Sequence, residues 1–329
     1  MTPTQRIIAL TRDLDFRVGA ALFAVGFFSL AFTEKELGFT RDESVYFYAA
    51  ENHARWFQSL WASPSAAVED RAIVASFDFN HEHPALVKSL SGLSFLLLHE
   101  KLSLLRPAAA FRVPAWLMAS MLLPLIYAFT RRLFGRPAAV FAAISFFLVP
   151  RQFCDSHWSC FDVPIAAMWA LVIYCYFRAQ ETKWGWLWTG ITFGLALATK
   201  HNALFLPFVL IPFAFGKAWL ASKGNGPARA LFLTMVGAYA AVAVLYGLLF
   251  AALGAAGFQA KFVALSPHLL LFVLLGFASA WILRLLLRVD VATFRALAPI
   301  GAMAVLGPVI WYLHCSGLMS RLMTGAFAR

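Results

Sequence analysis

Four short stretches of the sequence combine carboxylates, histidines and lysines, the side chains that move protons and bind anions. They are FTRDESVYFYAAENHARWF at 39–57, DFNHEHPALVKSL at 78–90, RQFCDSHWSCFDVP at 151–164 and LATKHNALF at 197–205. A carboxylate suits a general base that takes a proton from a hydroxyl or an amine. Lysine and histidine suit a phosphate that departs as a leaving group. With apolar segments beside them, these groups predict an acceptor that meets a lipid-linked phosphate donor.

The stretch at 39–57 places Asp42 and Glu43 at the start of a predicted amphipathic helix. Its apolar residues recur at helical spacing, which indicates a helix that lies on a membrane surface. The two carboxylates could serve catalysis. Alternatively, Asp42 could cap the helix while Glu43 favours its first turn. The residues alone leave both interpretations open, because the helix dipole can serve either.

The stretch at 78–90 holds His81, Glu82 and His83, followed by Pro84 and Lys88. Pro84 fits the first turn of a helix, where its missing N–H is not needed. Histidine and glutamate together could bind a divalent metal. Two histidines two residues apart, however, suit an extended segment better than a helix. The alternative is an interfacial helix whose polar start reaches the lipid headgroups.

The last two stretches also allow a structural interpretation. Asp155 and Asp162 lie in a predicted short outer loop. Asp162 could cap the helix that follows it, since Pro164 fits a first turn. Lys200 and His201 fall where two short helices are expected to meet, and a lone lysine there could be an anchor that reaches the membrane surface.

The composition predicts that membrane-spanning helices hold these residues in place. Hydrophobic residues make up 61% of the 329 and charged residues 13%, against about 45–50% and about 25% in a soluble domain. The chain is therefore predicted to be one multi-pass membrane domain made of helices. Its net charge of +11 arises mostly from Lys and Arg between apolar runs. We expect anionic membrane lipids, and no nucleic acid, as its electrostatic partner.

A helix that crosses a bilayer needs about 20 mainly apolar residues, and the sequence offers a series of candidate spans. They are approximately 16–33, 113–130, 137–153, 162–178, 185–200, 202–220, 230–253, 264–284 and 294–314. Every second loop is rich in Lys and Arg, which predicts a cytoplasmic amino terminus and an inner-membrane location. Residues 34–112 then form one extracytoplasmic loop. Within it, the run from Ala85 to Leu98 is too short to span and is predicted to be a re-entrant or interfacial helix.

Acidic residues concentrate on the predicted outer face. Of the 16 acidic residues, ten lie between Glu34 and Glu100, and Asp155 and Asp162 fall on the same side. Carboxylates at a membrane boundary that are not simple anchors are candidates for function. We therefore expect an extracytoplasmic active site, formed by the first loop and the outer end of the bundle at 113–314.

Four motifs in the same order resemble the GT-C membrane glycosyltransferases. The nearest branch is the dolichyl-phosphate-mannose–protein mannosyltransferase family with its bacterial aminoarabinose (lipid A) transferase relatives. The matching pieces are Asp42–Glu43–Tyr46, Glu82–His83–Pro84–Ala85–Leu86–Lys88, Phe161–Asp162–Val163–Pro164 and Gly194 to Lys200. The resemblance covers residues 15 to 220. It implies an all-α GT-C-type bundle with amphipathic juxtamembrane helices in a large first extracytoplasmic loop, and the candidate spans above would make about nine transmembrane helices.

The resemblance also implies a reaction. It implies an inverting transfer of a hexose or pentose from a polyprenyl-phosphate-linked sugar to an acceptor protein or lipid. An aspartate at the position of Asp42 is the expected base, and a glutamate at the position of Glu82 contacts metal in some relatives. A divalent metal therefore remains open. The predicted site comprises Asp42, Glu43 and Asp162 for catalysis, His83, Lys88 and Lys200 for the donor phosphate, His81, Glu82 and His83 for a metal, and Asp155 and His201 nearby.

Two other functions remain open at this point. A transporter or flippase for a lipid-linked substrate would place charged residues mid-span and show paired repeats. A non-catalytic membrane subunit is the second alternative. Residues 315–329 resemble nothing in the family, and a truncated or shortened carboxyl terminus is one interpretation of them.

Overall fold

The computed structural model describes residues 13–80, 82–182, 184–222 and 291–315. Every regular element in these ranges is a helix, as the composition predicts. The chain divides into two compact units, Met1–Tyr174 and Cys175–Arg329.

The helices are named here in chain order. The first unit contains α1 (Leu14–Thr33), α2 (Arg41–Ala62), α3 (Pro64–Ala67), α4 (Asp70–Phe77), α5 (Leu86–Ser94), α6 (Pro107–Phe147), α7 (Pro150–His157) and most of α8 (Asp162–Ala179). A short 3₁₀ turn, Glu34–Glu36, follows α1, and a π-helical segment, Phe95–Lys101, continues α5. The second unit contains α9 (Gly185–Thr199), a 3₁₀ segment (His201–Phe205), α10 (Leu206–Ser222) and α11 (Val291–Cys315).

Three helical stretches of the described residues are long and apolar enough to cross a bilayer. They are Leu14–Glu36, Pro107–Phe147 and Asp162–Ala179. Large apolar side chains such as Phe32 and Phe141 are exposed on them, which suits contact with lipid. These helices agree with an integral membrane protein. The predicted spans 230–253 and 264–284 lie outside the described residues, so the number of about nine spans stays a prediction.

Helix α6 is interrupted at Gly135, whose φ of 83° and ψ of 176° are not helical. Glycine adopts such a φ at little cost because it has no Cβ. Directly after it, Arg136 contacts Asp15 at the start of α1, whereas His157 contacts Thr33 at the end of α1. The chain therefore reverses direction at Gly135, which separates the two spans predicted on either side of it.

The predicted span 137–153 extends beyond the end of its helix. Its helix ends at Phe147, and α7 begins separately at Pro150, so the predicted end at residue 153 is wrong. The physical reason is proline, which suits the first turn of a new helix and cannot donate a hydrogen bond within the preceding one.

Polar contacts and a shared core join α1 to α6. At the start of α1, Asp15 accepts a hydrogen bond from the Tyr127 hydroxyl (2.7 Å) and pairs with Arg131 (2.5 Å) and Arg136 (2.9 Å). The core between the helices includes Leu22, Leu30, Trp116, Leu123, Ala143 and Phe147. The start of α1 therefore marks one end of the unit, and its final residues mark the other.

Helix α2 begins with a capping box. The Thr40 hydroxyl accepts a hydrogen bond from the Glu43 N–H (3.3 Å), and the Glu43 carboxylate accepts one from the Thr40 N–H (3.3 Å). This arrangement satisfies two backbone donors that the helix would otherwise leave without partners. The interpretation of Asp42 as the cap is therefore wrong, and Asp42 lies exposed in the first turn.

Helix α5 approaches α2 very closely at Gly92. A Cβ at this position would lie 2.4 Å from the carbonyl oxygen of Ala50. The helix begins at Leu86 with Ala85 at the N-cap position, so the predicted start at Pro84 is wrong by two residues. At nine residues, α5 is much shorter than the roughly 20 residues that a span requires.

The second unit packs α9 against α11 through glycines. A Cβ on Gly190 would lie 2.6 Å from the Ala302 carbonyl oxygen, and one on Gly194 would lie 2.6 Å from the Ile310 side chain. Lys200 has an extended backbone (φ −156°, ψ 138°) and ends α9. The predicted break between two short helices at Lys200 is therefore confirmed.

Candidate active site

Three of the four chemically interesting stretches meet at the end of the first unit where α1 ends. The ring of Tyr46, from α2, stacks on that of Phe161 with 4.1 Å between centroids. His83 lies edge-on to both rings, at 5.7 Å from Tyr46 and 5.5 Å from Phe161. These three residues, named here the aromatic triad, join parts of the sequence that lie far apart in the chain.

Three carboxylates are near enough to Tyr46 of the aromatic triad to influence its hydroxyl. Burial raises the pKa of the Tyr46 hydroxyl to about 12, and the negative charges of Asp42, Asp162 and Glu82 contribute to this increase. All three carboxylates are exposed. We name Asp42, Glu82 and Asp162 the carboxylate rim. Their charges are close enough to Tyr46 to raise the pKa of its phenol, and each carboxylate can accept a proton from a solvent-side group. Tyr46 is therefore protonated near neutral pH, and its uncharged hydroxyl can donate or accept a hydrogen bond.

Nearby carboxylates also affect the thiol of Cys160. Burial raises the pKa of its thiol to about 11, and the charges of Glu43, Asp42 and Asp162 add to this effect. The contact between its Sγ and the Thr40 hydroxyl, at 3.4 Å, lowers the pKa by a smaller amount. The thiol is therefore protonated near neutral pH and is a poor nucleophile.

Glu43 is buried and its carboxylate is fully occupied. Arg112 binds both oxygens, with its Nε 2.8 Å from Oε1 and an Nη 2.7 Å from Oε2. The Ser159 N–H donates to Oε1 (2.9 Å) and the Thr40 N–H to Oε2. Glu43 and Arg112 are 0% and 1% exposed. Because four donors fill the acceptor sites of a carboxylate, this geometry favours a positioning role for Glu43, and its predicted catalytic role stays a prediction.

Sequence reasoning missed Arg112 as a member of the site. It holds Glu43, and it also donates to the Gly38 carbonyl oxygen (3.0 Å). An arginine ahead of an apolar run is ordinarily interpreted as a membrane anchor. A signal was nevertheless present, because Arg112 precedes its span on the predicted outer face, where the positive-inside rule favours few basic residues.

Lys88 lies against the loop that precedes α5 and is 2% exposed. Its ammonium donates to the carbonyl oxygen of Asn80 (2.6 Å), to the Asn80 side-chain oxygen (3.3 Å) and to the carbonyl oxygen of His83 (2.9 Å). In turn, the Asn80 amide donates to Glu82 Oε1 (2.6 Å). Lys88 therefore contacts the loop of the site rather than an open surface.

Asp155 and His157 contact residues that do not belong to the triad or to the carboxylate rim. Asp155 pairs with Arg151 one turn earlier (2.7 Å) and raises the pKa of that guanidinium. His157 is buried: its Nδ1 donates to the Phe153 carbonyl oxygen (2.8 Å) and its Nε2 lies 2.7 Å from the Thr33 hydroxyl. Burial lowers the pKa of His157. The contacts of both residues therefore stabilise the local structure of α7.

Three further predicted site residues fall outside the described part of the first unit. Lys200 and His201 belong to the second unit, at the junction between α9 and the 3₁₀ segment. His81 lies outside the described residues. Among the residues that the structure describes, no group of three or more His, Cys, Asp or Glu side chains is arranged to hold a metal ion. The predicted metal set includes His81, so a metal at His81, Glu82 and His83 stays a prediction.

The apolar spans and the polar cluster at one end are features of an integral membrane protein. Residues 83–236, a little under half of the chain, match the family model described as dolichyl-phosphate-mannose-protein mannosyltransferase. This match confirms the predicted resemblance to the GT-C mannosyltransferase-like superfamily over the matched residues. No curated protein and no solved structure matches the chain.

The matched segment covers only part of the candidate site. It begins at His83 and includes Lys88, Arg112 and Asp162. Asp42 and Glu82 lie before it. Their connection with the family therefore rests on the motif resemblance and on their position around Tyr46.

Proposed function

We propose that the protein transfers a sugar from a polyprenyl-phosphate-linked donor to a protein, lipid or glycan acceptor on the extracytoplasmic face of the inner membrane. The observation that carries this proposal is the aromatic triad with its carboxylate rim. Two motifs that precede α6 and one that follows it contribute Tyr46, His83 and Phe161 to the triad, and a carboxylate of each motif acts on the charge around Tyr46. Glycosyl transfer needs such a group next to the acceptor.

In the proposed reaction, Asp42 is the general base. It takes the proton of the acceptor hydroxyl or amine while the acceptor's oxygen or nitrogen forms a bond with the anomeric carbon. The bond between that carbon and the phosphate oxygen breaks, and polyprenyl phosphate departs with the electron pair. Attack opposite the leaving group inverts the anomeric centre. Asp42 suits this role because it is exposed in the first turn of α2, where an acceptor from the solvent side can reach its carboxylate.

The other rim residues are proposed to orient the substrates. Asp162, at the start of α8, and Glu82 are exposed beside Tyr46 and can accept hydrogen bonds from sugar hydroxyls. His83 is proposed to contact the donor phosphate from the triad, and the predicted phosphate contact of Lys200 stays a separate prediction. A cation next to the departing phosphate stabilises the charge that develops there.

Transfer in a defined membrane tests this function. The purified protein, reconstituted in nanodiscs, would be incubated with polyprenyl-phosphate hexoses and pentoses and with candidate lipid and peptide acceptors. Mass spectrometry would then detect the glycosylated acceptor and the released polyprenyl phosphate. The proposal expects both products in equal amounts. The same protein in proteoliposomes tests transport. Movement of a labelled donor across that membrane without any product would instead support a transporter or flippase, and the absence of both product and movement would support a non-catalytic subunit.

A further inference from the structure

We propose that Lys88 is a positioning residue that fixes the turn closed by the hydrogen bond from the His83 N–H to the Asn80 carbonyl oxygen, and that it acts on the reaction through Glu82 and His83 without touching the donor. The inference rests on the proposed function, because it concerns residues of that site. It assigns to Lys88 a different role from the phosphate contact that its sequence position predicts.

The first argument is where the charge of Lys88 is placed. The side chain is 2% exposed and lies on α5, whose Gly92 packs directly on the backbone of α2. A buried ammonium is costly unless acceptors surround it. Three acceptor oxygens, from Asn80 and His83, lie 2.6, 2.9 and 3.3 Å from its Nζ. The charge is therefore satisfied by protein oxygens, so a lipid phosphate is not needed to balance it.

The second argument is the conformation of that loop. Asn80 has a φ of 59°, in the left-handed region that asparagine tolerates better than most residues. Its carbonyl oxygen accepts a hydrogen bond from the His83 N–H (3.2 Å) as well as from Lys88. Hydrogen bonds from a charged donor are stronger than neutral ones. The ammonium thus stabilises a tight turn that has an unusual backbone conformation at its first residue.

The third argument links the turn to the site. The Asn80 side chain bonds to Lys88 through its oxygen and to Glu82 through its amide nitrogen. The His83 carbonyl bonds to Lys88, while the His83 ring lies against Tyr46 and Phe161. One ammonium therefore sets the positions of a rim carboxylate and of a triad ring.

The test compares Lys88→Met with the control Lys101→Met. Methionine is of similar length and lacks the ammonium, whereas Lys101 lies over the Trp61 ring in the same outer segment. Hydrogen–deuterium exchange of amides 78–84 should become at least about tenfold faster in Lys88→Met, while amides of α1 stay protected. The control should leave exchange at 78–84 unchanged. Unchanged exchange at 78–84 in Lys88→Met would overturn the proposal.

Kinetics provide the second readout. For transfer from a polyprenyl-phosphate sugar, a positioning role predicts a kcat at least about tenfold lower with a donor KM within about twofold of the wild type. A large rise in donor KM with kcat maintained would overturn the positioning role and support a direct phosphate contact. If the wild-type protein shows no transfer, the proposed function fails, and hydrogen exchange alone still decides the role of Lys88.

A second variant covers failure of Lys88→Met to fold, which loss of protection in α1 would reveal. Asn80→Gly keeps access to the positive φ but removes the side-chain bonds to Lys88 and Glu82. We expect faster exchange at 78–84 and a lower kcat with little change in donor KM. Wild-type exchange and kcat in Asn80→Gly would overturn the proposed link from Lys88 to Glu82 through the Asn80 side chain.

Discussion

At the scale of single residues, the candidate site separates groups that meet solvent from groups that hold them in place. Asp42 and Glu43 are neighbours in the chain, yet one is exposed and the other is 0% exposed. The difference follows from the capping box, which turns Glu43 back towards Thr40 and towards Arg112. Two adjacent carboxylates can thus have different roles because the helix places them on different sides.

The first prediction concerns the pair formed by Glu43 and Arg112. Removing one partner leaves a buried charge without compensation, which typically costs about 3–5 kcal/mol. We expect Arg112→Met to lower the free energy of unfolding by this amount. Chemical denaturation in detergent measures it. Arg55→Ala, which removes an exposed partner of Glu51, is the control and should cost less than about 1 kcal/mol. Equal losses in the two variants would contradict the structural role of the pair.

The second prediction concerns pH and His157. Burial lowers the pKa of His157 in the folded protein, and the nearby charge of Arg112 acts in the same direction while Glu34 opposes it. The unfolded chain, with an ordinary histidine pKa of about 6.5, therefore takes up a proton at a pH where folded His157 does not. Stability is complete above about pH 6.5 and decreases below it, by at most about 1.4 kcal/mol for each pH unit.

The measurement is the thermal unfolding midpoint between pH 7.5 and pH 5.5. We expect His157→Gln to reduce the loss of stability on acidification. The control His99→Gln replaces a histidine that bonds to the Leu105 carbonyl oxygen and should keep the wild-type pH dependence. An unchanged pH dependence in His157→Gln would show that another group controls it.

At the scale of the helices, the packing of α5 on α2 depends on one close approach. Gly92 lets α5 lie against α2, because any Cβ there would meet the Ala50 carbonyl oxygen at 2.4 Å. We expect Gly92→Ala to destabilise the protein by about 1–3 kcal/mol, as overpacking usually does. The control is Gly38→Ala, where a Cβ would meet nothing within 4 Å. The unfolding midpoints of the two variants should differ clearly, and similar midpoints would argue against tight packing here.

The apolar helices could be predicted from the sequence, whereas their ends and contacts could be predicted only in part. α1 and α8 agree closely with the predicted spans 16–33 and 162–178, because long apolar runs have few alternatives to a membrane helix. The start of α5 was misplaced because proline fits both a first helical turn and the loop ahead of it. The approach at Gly92 could not be predicted, since it depends on which helix faces which.

The site shows the same division between local and long-range information. Residue types and order predicted that Asp42, Glu82 and Asp162 would matter, and the structure brings them around Tyr46. Their chemical roles stay predictions. The pairing of Glu43 with Arg112 joins residues far apart in the chain, and no local pattern specifies such a contact. Lys88 is a similar case, because its bonds to Asn80 and His83 depend on the packing of α5. Its predicted phosphate contact stays a prediction.

At the scale of the whole molecule, the first unit has two chemically different ends. One end holds Asp15 with Arg131 and Arg136, and the other holds the aromatic triad and the carboxylate rim. Basic residues favour the cytoplasmic side. We therefore predict that the rim faces the extracytoplasmic space.

Cysteine labelling tests this orientation. In a background with all four native cysteines replaced by serine, Ser65→Cys, exposed in α3, should react with a membrane-impermeant maleimide in intact cells. Leu133→Cys, which is 72% exposed next to the basic end, is the matched site and should react only after the membrane is permeabilised. The reverse pattern would contradict the proposed topology.

The central claim is that Asp42 accepts the acceptor's proton in transfer from a polyprenyl-phosphate sugar. The most direct measurement is the transfer rate of Asp42→Asn against Glu51→Gln in nanodiscs, at saturating donor. Both variants neutralise a carboxylate on α2 that reaches solvent, but only Asp42 contributes to the carboxylate rim. Because removal of a general base typically costs about 10²–10⁴-fold, we expect that loss in Asp42→Asn and a near-wild-type rate in Glu51→Gln. A wild-type rate in Asp42→Asn would contradict the account.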